Sequence, residues 1–327
     1  MNMPQHITVA LCTARQEPRF DWIADSIVNA LAVSPGPFEL IVVDKLLWAS
    51  NDQQDSRRAA LWYAIDGRFS YRHVPPKPSP FQGPWRKTQR DLYALCSARN
   101  TAIALAHYNH FVLVDDCTVV DQAWLHQHRQ AARLGIAMAG SFRSYNHAHV
   151  VNGKVIDGEL HPCGIDRRGE VHRLSPGAWL YGLNMSFPLD IALQINGFDE
   201  TFDAQAGSED THAGIRIEML KACKLAYNPA CLINQILETH EEVCGWAAWG
   251  KDQPRKQKEI VLDDGRSHFA NEWLIQDWAK KPYIWAKNEF NLKELRGRVL
   301  REGYKAFPTT FRVETDWRDG QLLSDMD

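Results

Sequence analysis

The strongest constraint on this chain lies in its first 44 residues, where two short apolar runs flank one amphipathic segment. Ile7-Thr-Val-Ala-Leu-Cys12 is short, apolar and β-branched, as a strand buried on both faces must be. After the polar turn Thr13 to Pro18, Trp22, Ile23, Ile27, Ala30 and Leu31 recur at helical spacing between Phe20 and Val33. Pro35-Gly-Pro37 then stops the helix. Phe38-Glu-Leu-Ile-Val-Val43 is a second buried strand ending on Asp44. Strand, helix and strand at this spacing form a βαβ unit, whose parallel strands need cover on both faces. The expected class is therefore α/β, a mostly parallel sheet between helices.

Further along, Asn51 to Arg58 is polar and reads as irregular, Phe69 to Val74 as a third strand, and Pro75 to Pro80 as an extended surface connection. A helix is expected from Thr88 to Ala106, through Arg99-Asn100. Phe111-Val-Leu-Val114 is another buried strand, delivering Asp115-Asp-Cys117 to its carboxyl end. Gly140 to Val171 reads as short strands and turns, Trp179 to Phe187 as an irregular segment, and Ile191 to Asn196 as a short helix. A strong helix opens at Ser208-Glu-Asp210 and runs to Cys223. Leu225 to Tyr227 and Cys231 to Leu237 are separate strands leading to Thr239-His-Glu241. A break falls near Gly245 to Lys258, Phe269 to Glu302 is largely helical, and the acidic tail from Asp319 frays.

Composition narrows the function. Of 327 residues, 45% are apolar and 24% charged, with a net charge of -3, which is the balance of a soluble globular protein with no overall pull toward nucleic acid or anionic lipid. No apolar run approaches the ~18 residues of a membrane span. The first strand begins without a charged segment before it, so no signal peptide is expected. Seven cysteines without a Cys-x-x-Cys pair exclude a disulfide framework and a structural zinc site, and fit a cytoplasmic protein.

In open α/β sheets ligands collect at the carboxyl ends of the strands, and Thr13, Asp44 and Asp115-Asp116 all fall at that edge. Paired aspartates there suit a hard divalent cation, or cap the N–H groups of a turn. Asp210, at a helix start, suits a general base or a helix cap. Among the tryptophans of the second half, Trp179 lies beside the Asn184 segment. Trp278 and Trp285 have the spacing of packed residues.

The segment Phe111-Val-Leu-Val-Asp-Asp-Cys-Thr-Val-Val-Asp-Gln-Ala-Trp-Leu125, preceded by Ala98-Arg-Asn100, resembles the metal-binding segment of nucleotide-sugar-dependent glycosyltransferases with the GT-A fold. Gly182-Leu-Asn-Met-Ser-Phe187, Gly197-Phe-Asp-Glu200, Ser208-Glu-Asp-Thr211 with Arg216, Tyr227-Asn-Pro229 and His240 follow in that family's order. The likeness covers about residues 6 to 242 and points to the large inverting family with many bacterial glycan synthases. It implies a GT-A (Rossmann-like) mixed, mostly parallel central sheet flanked by helices, with a helical C-terminal extension. Residues 1-245 would be the transferase domain (1-120 the nucleotide-binding half, 121-245 the acceptor half). Residues 246-327 would form a lid loop and that extension, the basic run Lys251 to Lys258 closing over the diphosphate.

By the same resemblance, Thr13 and, more weakly, Arg15 touch the nucleotide, and Asp44 reads the base or ribose. Arg99 steadies the aspartate loop or reaches the diphosphate, and Asp115 contacts ribose or metal. Asp116 is the main ligand of Mn2+ or Mg2+, His240 supplies a second ligand, and Asp210 is the general base. Trp179, Asn184 and Glu209 lie on the acceptor side. The metal loop departs from the family's aspartate-x-aspartate, since either register lacks one acid. The leading expectation is a metal-dependent, inverting transferase moving a sugar from a UDP-sugar to a glycan or other hydroxyl acceptor. Its rivals are glycosylation of a hydroxymethylated nucleobase in DNA, a non-catalytic nucleotide-sugar binding protein, and a metal-dependent phosphohydrolase.

Overall fold

The computed structural model describes residues 5–86, 91, 93–203, 208–237, 259–261, 267–269 and 282–310. The first half runs β1 (Ile7–Thr13), α1 (Phe20–Val33), β2 (Phe38–Asp44), α2 (Asn51–Ile65), β3 (Tyr71–Val74), α3 (Leu95–Leu105), β4 (His110–Asp115), β5 (Thr118–Val120) and α4 (Trp124–Leu134). There follow β6 (Ala137–Val151), β7 (Lys154–Ile165), β8 (Arg173–Leu174), β9 (Asn184–Pro188), α5 (Leu189–Gln194), α6 (Glu209–Leu220), β10 (Leu225–Ile236), β11 (Glu259–Val261), β12 (Ser267–Phe269) and α7 (Leu292–Glu302).

The main sheet has the order β3-β2-β1-β4-β9-β6-β10-β5, with β7 added on β6 and β8 on β10. β3, β2, β1 and β4 are mutually parallel, and β10 is parallel to β6. β9 runs antiparallel to both β4 and β6, so β6 continues in the direction of β4. The fold is thus of the expected α/β class, a mixed sheet with the parallel run β3-β2-β1-β4, flanked by helices.

Alternation along β1 explains the two cores. Ile7, Val9 and Leu11 face α1, α2 and α4, joining Ile23, Ile27, Leu61 and Trp124. Ala10 faces the other way, into a core built from α3, α5, α6 and α7. Every residue of β2 is buried, as expected of a strand covered on both sides. Register then sets the working edge: Thr13 pairs with Asp44, and Cys12 with Asp115, so three strand ends finish at one level.

Several elements differ from the sequence reading. α2 occupies the stretch expected to be irregular, burying only Arg57, Leu61 and Ile65. α3 begins at Leu95 and not at Thr88, with 88–90 outside the described residues. Its first N–H groups are taken by Asp203, whose Oδ1 accepts from Cys96 N at 2.7 Å, a cap supplied from 107 residues away. The short strands expected over Gly140 to Val171 are one long hairpin of β6 and β7, turning at Asn152 (φ 49°) and Gly153 (φ 68°). The two strands expected beyond Leu225 are one strand, β10, with a register shift between Asn228 and Leu232.

Of the stretch expected to be helical from Phe269 to Glu302, the described residues are helical only in α7; Phe269 ends β12, and 282–291 is irregular. That segment is held by side-chain bonds instead, Asn288 Nδ2 donating to Asn196 O (2.7 Å) and Phe198 O (3.0 Å). α7 buries Leu292, Leu295 and Val299 in the α3 core. The expected lid, Lys251 to Lys258, lies outside the described residues.

Candidate active site

β4 ends on Asp115, and the chain reverses through Asp116 and Cys117 into β5. Cys117 takes the left-handed conformation (φ 53°), which non-glycine residues seldom adopt and which clusters at functional turns. The reversal aims Asp116 back toward the loop after β1. There Thr13 Oγ1 donates to Asp116 Oδ2 at 2.6 Å, and Arg15 Nε pairs with Asp116 Oδ1 at 2.6 Å. Thr13 and Arg15 thus meet the residue to which the resemblance assigned the metal.

α3 works as a crosspiece because neighbouring side chains on a helix point in different directions. Arg99 Nη1 reaches Glu209 Oε1 at 2.8 Å, tying α3 to the start of α6. Asn100 turns to the Gly197–Glu200 turn, its Nδ2 donating to Phe198 O and Glu200 Oε1, both at 2.8 Å. Arg99 is 3% exposed, and the close carboxylates of Glu209, Asp210 and Asp115 favour its charged form.

Asp210 lies in the first turn of α6, behind Ser208, whose φ of 75° turns the chain into the helix. Its Oδ2 accepts from Gly182 N (2.7 Å) and its Oδ1 from Thr211 N (2.6 Å). Gly182 rests on the Arg99 guanidinium, where a Cβ would overlap Arg99 Nη2. The next residue, Leu183, accepts through its carbonyl from Asp115 N at 3.4 Å. One short segment, Gly182-Leu183, therefore spans from Asp210 to the aspartate pair.

The electrostatics report the same convergence. Removal from water pushes Asp115 up to about 6, opposed by Arg99, with Asp116 and Asp210 adding to the rise. Burial likewise raises Glu209 to about 7, against the pull of Arg99 and with the help of Asp210. Asp116 and Asp210 thus both act on Asp115.

Asp44 sits apart in a separate knot. Its carboxylate is fully buried, Oδ1 accepting from Leu46 N (2.9 Å) and Oδ2 engaged by Arg57 Nε (2.7 Å) and His73 Nε2 (3.0 Å). Arg57 Nη2 and His73 Nδ1 remain buried without a partner. Arg57 reaches Asp44 because Asn51–Ile65 is helical, a periodicity that its polar sequence does not display.

Of the residues expected on an acceptor side, Asn184 is fully committed within the sheet. Its Oδ1 accepts from Trp124 Nε1 (2.9 Å), and its Nδ2 donates to Ser141 O (2.8 Å) and Cys231 O (2.7 Å). Trp179 packs edge-on against Tyr227, with Arg173 over its ring. The Trp179 carbonyl accepts from Arg168 Nη1 at 2.5 Å. His240 lies outside the described residues.

A divalent ion is tested by the donor set at the end of β4. Two adjacent carboxylates are hard oxygen ligands, and one or two of them plus substrate phosphates suffice for magnesium. No group of three or more His, Cys, Asp or Glu side chains is placed to hold a metal among the described residues. The pair fits a cation shared with a phosphorylated substrate, provided Asp116 exchanges Arg15 for it.

No protein-family model and no curated protein matches the sequence. In fold the chain is similar to solved glycosyltransferase structures. One is S. aureus TarS 1-349, at 12% identity and a TM-score of 0.49 over 71% of this chain and 60% of that one. The same protein in complex with UDP-GlcNAc gives a TM-score of 0.46 at 12% identity, over 71% of this chain and 58% of that one. Another is the mannosyltransferase PcManGT from Pyrobaculum calidifontis in complex with GDP-Man and Mn2+, at 14% identity and a TM-score of 0.46 over 76% and 60% of the two chains. The chain spans about three fifths of the length of these neighbours. No helix among the described residues is long and apolar enough to cross a membrane.

Proposed function

We propose that this chain transfers a sugar from a nucleoside-diphosphate donor, UDP-linked, to an acceptor hydroxyl, with Asp210 as general base. The observation that carries the reading is the link from Asp210 through Gly182-Leu183 to Asp115, with Arg99 in the field of both carboxylates. Donor phosphates belong at the strand ends, by Thr13, Arg15 and the aspartate pair. The anomeric carbon then lies toward Asp210.

The acceptor oxygen attacks that carbon as its bond to the phosphate oxygen breaks, and the hydroxyl proton passes to Asp210. Each Asp210 oxygen holds one backbone N–H and keeps a second lone pair for that proton. Such proton transfer contributes typically about 10²–10⁴-fold. One displacement with one base inverts the anomeric centre. Asp115 and Asp116 would hold a bound Mn2+ or Mg2+, which supplies Lewis-acid neutralisation of the leaving diphosphate. Arg99 orients the base side by holding Glu209, and Gly182 fixes the Asp210 carboxylate.

The test is incubation of the full chain with a panel of UDP-sugars and Mn2+, with and without hydroxyl acceptors. UDP release that requires an acceptor, with a glycosylated product by mass spectrometry, supports the reading. Release of equal rate without acceptor identifies a hydrolase, and no release with any pair overturns the transferase. Activity on hydroxymethylated DNA that weakens steeply with salt would assign the acceptor to nucleic acid.

A further inference from the structure

Tyr93 is absent from every motif that drew attention to this chain, yet its hydroxyl is one of the buried polar atoms left without a partner. A buried hydroxyl with no hydrogen bond bears the full cost of leaving water, and native structures keep few of them without cause. The side chain packs, partly buried, against the α3 core. The backbone on its C-terminal side is pinned, with Ala94 N donating to Gln82 Oε1 at 2.9 Å and Cys96 N to Asp203 Oδ1 at 2.7 Å. The charged and titratable groups around it are Cys12 on β1, Asp115 and Asp116 beyond β4, and Arg99 on α3. Those are the groups of the donor side.

We propose that Tyr93 is a donor-binding residue whose phenolic O–H donates to an oxygen of the bound nucleoside-diphosphate sugar. The inference rests on the transferase reading and adds to it a contact that no motif supplies. A neutral donor is apt beside two carboxylates, where phosphate or sugar oxygens need hydrogen bonds but a third anion would repel them. The pinned backbone means that the hydroxyl is placed before the ligand arrives, so little ordering is spent on binding. In the free protein the same hydroxyl has nothing to bond, the trade of stability for function common at binding sites.

That trade gives the test. Tyr93→Phe keeps the ring and removes only the oxygen. Melting temperature of the free protein and UDP affinity with Mn2+ present, by thermal shift and calorimetry, are read on the wild type, on Tyr93→Phe and on Tyr283→Phe. The Tyr283 hydroxyl donates to Asp199 Oδ2 at 2.7 Å and serves as a structural control. Expected for Tyr93→Phe are a melting temperature equal to or above wild type and UDP-sugar or UDP binding weakened about tenfold, the scale of a lost hydrogen bond to a charged acceptor. Tyr283→Phe should do the reverse, melting lower and binding UDP as wild type does. Unchanged affinity in Tyr93→Phe, or a lowered melting temperature in it, overturns the assignment of Tyr93 alone. A wild type that binds neither UDP nor any UDP-sugar overturns the underlying transferase reading.

Discussion

Arg15 and Asp116 stand 101 residues apart in sequence and meet as an ion pair of 2.6 Å, both side chains nearly buried. A guanidinium in that position holds the carboxylate that a divalent ion would take. If the proposed function holds, a cation would have to compete with Arg15 in the free protein, and a bound diphosphate would offer both cation and guanidinium a second anionic partner.

Mn2+ alone should therefore bind the wild type weakly, and Arg15→Ala should bind it at least about tenfold more tightly, given roughly 1.5–3 kcal/mol for a charge-assisted hydrogen bond. Mn2+ titration followed by electron paramagnetic resonance measures this directly. Equal affinity in the two proteins would mean that Asp116 does not ligate the ion.

Glu209 sets a pH dependence of stability. Burial raises its folded pKa from 4.5 to about 7, so the folded state holds a proton that the unfolded state has released in that window. Stability from this group is complete below 4.5 and is lost as pH rises through about 7. Glu209→Gln, which can still accept from Arg99, should lose less stability than wild type between those limits. Urea unfolding at a series of pH values checks it, and parallel curves for the two proteins would contradict it.

Gly182 is expected to be intolerant of any side chain. A methyl group there overlaps the Arg99 guanidinium, which Glu209 and the face of Phe198 hold in place. Gly182→Ala should lower transfer by on the order of 10²-fold, the cost of a misplacement near 1 Å at a reacting group. Steady-state rates should show the loss in kcat more than in donor KM.

Asp203 is a cap and not a site residue. It accepts from the N–H groups of Cys96 and Ser97 at the head of α3. Asp203→Ala should destabilise by about 0.5–2 kcal/mol, the range for a lost N-cap, with donor KM unchanged. Denaturant unfolding and donor titration separate the two effects.

The sequence was most readable where local pattern and burial agree. The helix from Phe20 to Val33 has the bounds expected of it, and β1 and β2 run one residue past theirs. Periodicity fails for α2 because its buried stripe is only Arg57, Leu61 and Ile65. The start of α3 could not be read locally, since the residue that caps it lies 107 positions away. The β6–β7 hairpin carries a local signal, the Asn152-Gly153 pair at its turn. Within the site, the motifs name Asp115, Asp116 and Asp210. The knot that occupies Asp44, the engagement of Asp116 by Arg15 and the stranded hydroxyl of Tyr93 arise from packing across the sheet edge, and no spacing along the chain encodes them.

Asp210→Asn tests the central claim most directly, because the amide keeps the size of the carboxylate and its one oxygen can still accept from Gly182 N or from Thr211 N, the two N–H groups that the carboxylate holds with separate oxygens. UDP-sugar affinity should stay near wild type while the transfer rate falls by about 10²–10⁴-fold, the contribution of a general base. Transfer at the wild-type rate, or loss of donor binding in step with loss of transfer, would contradict the assignment of Asp210.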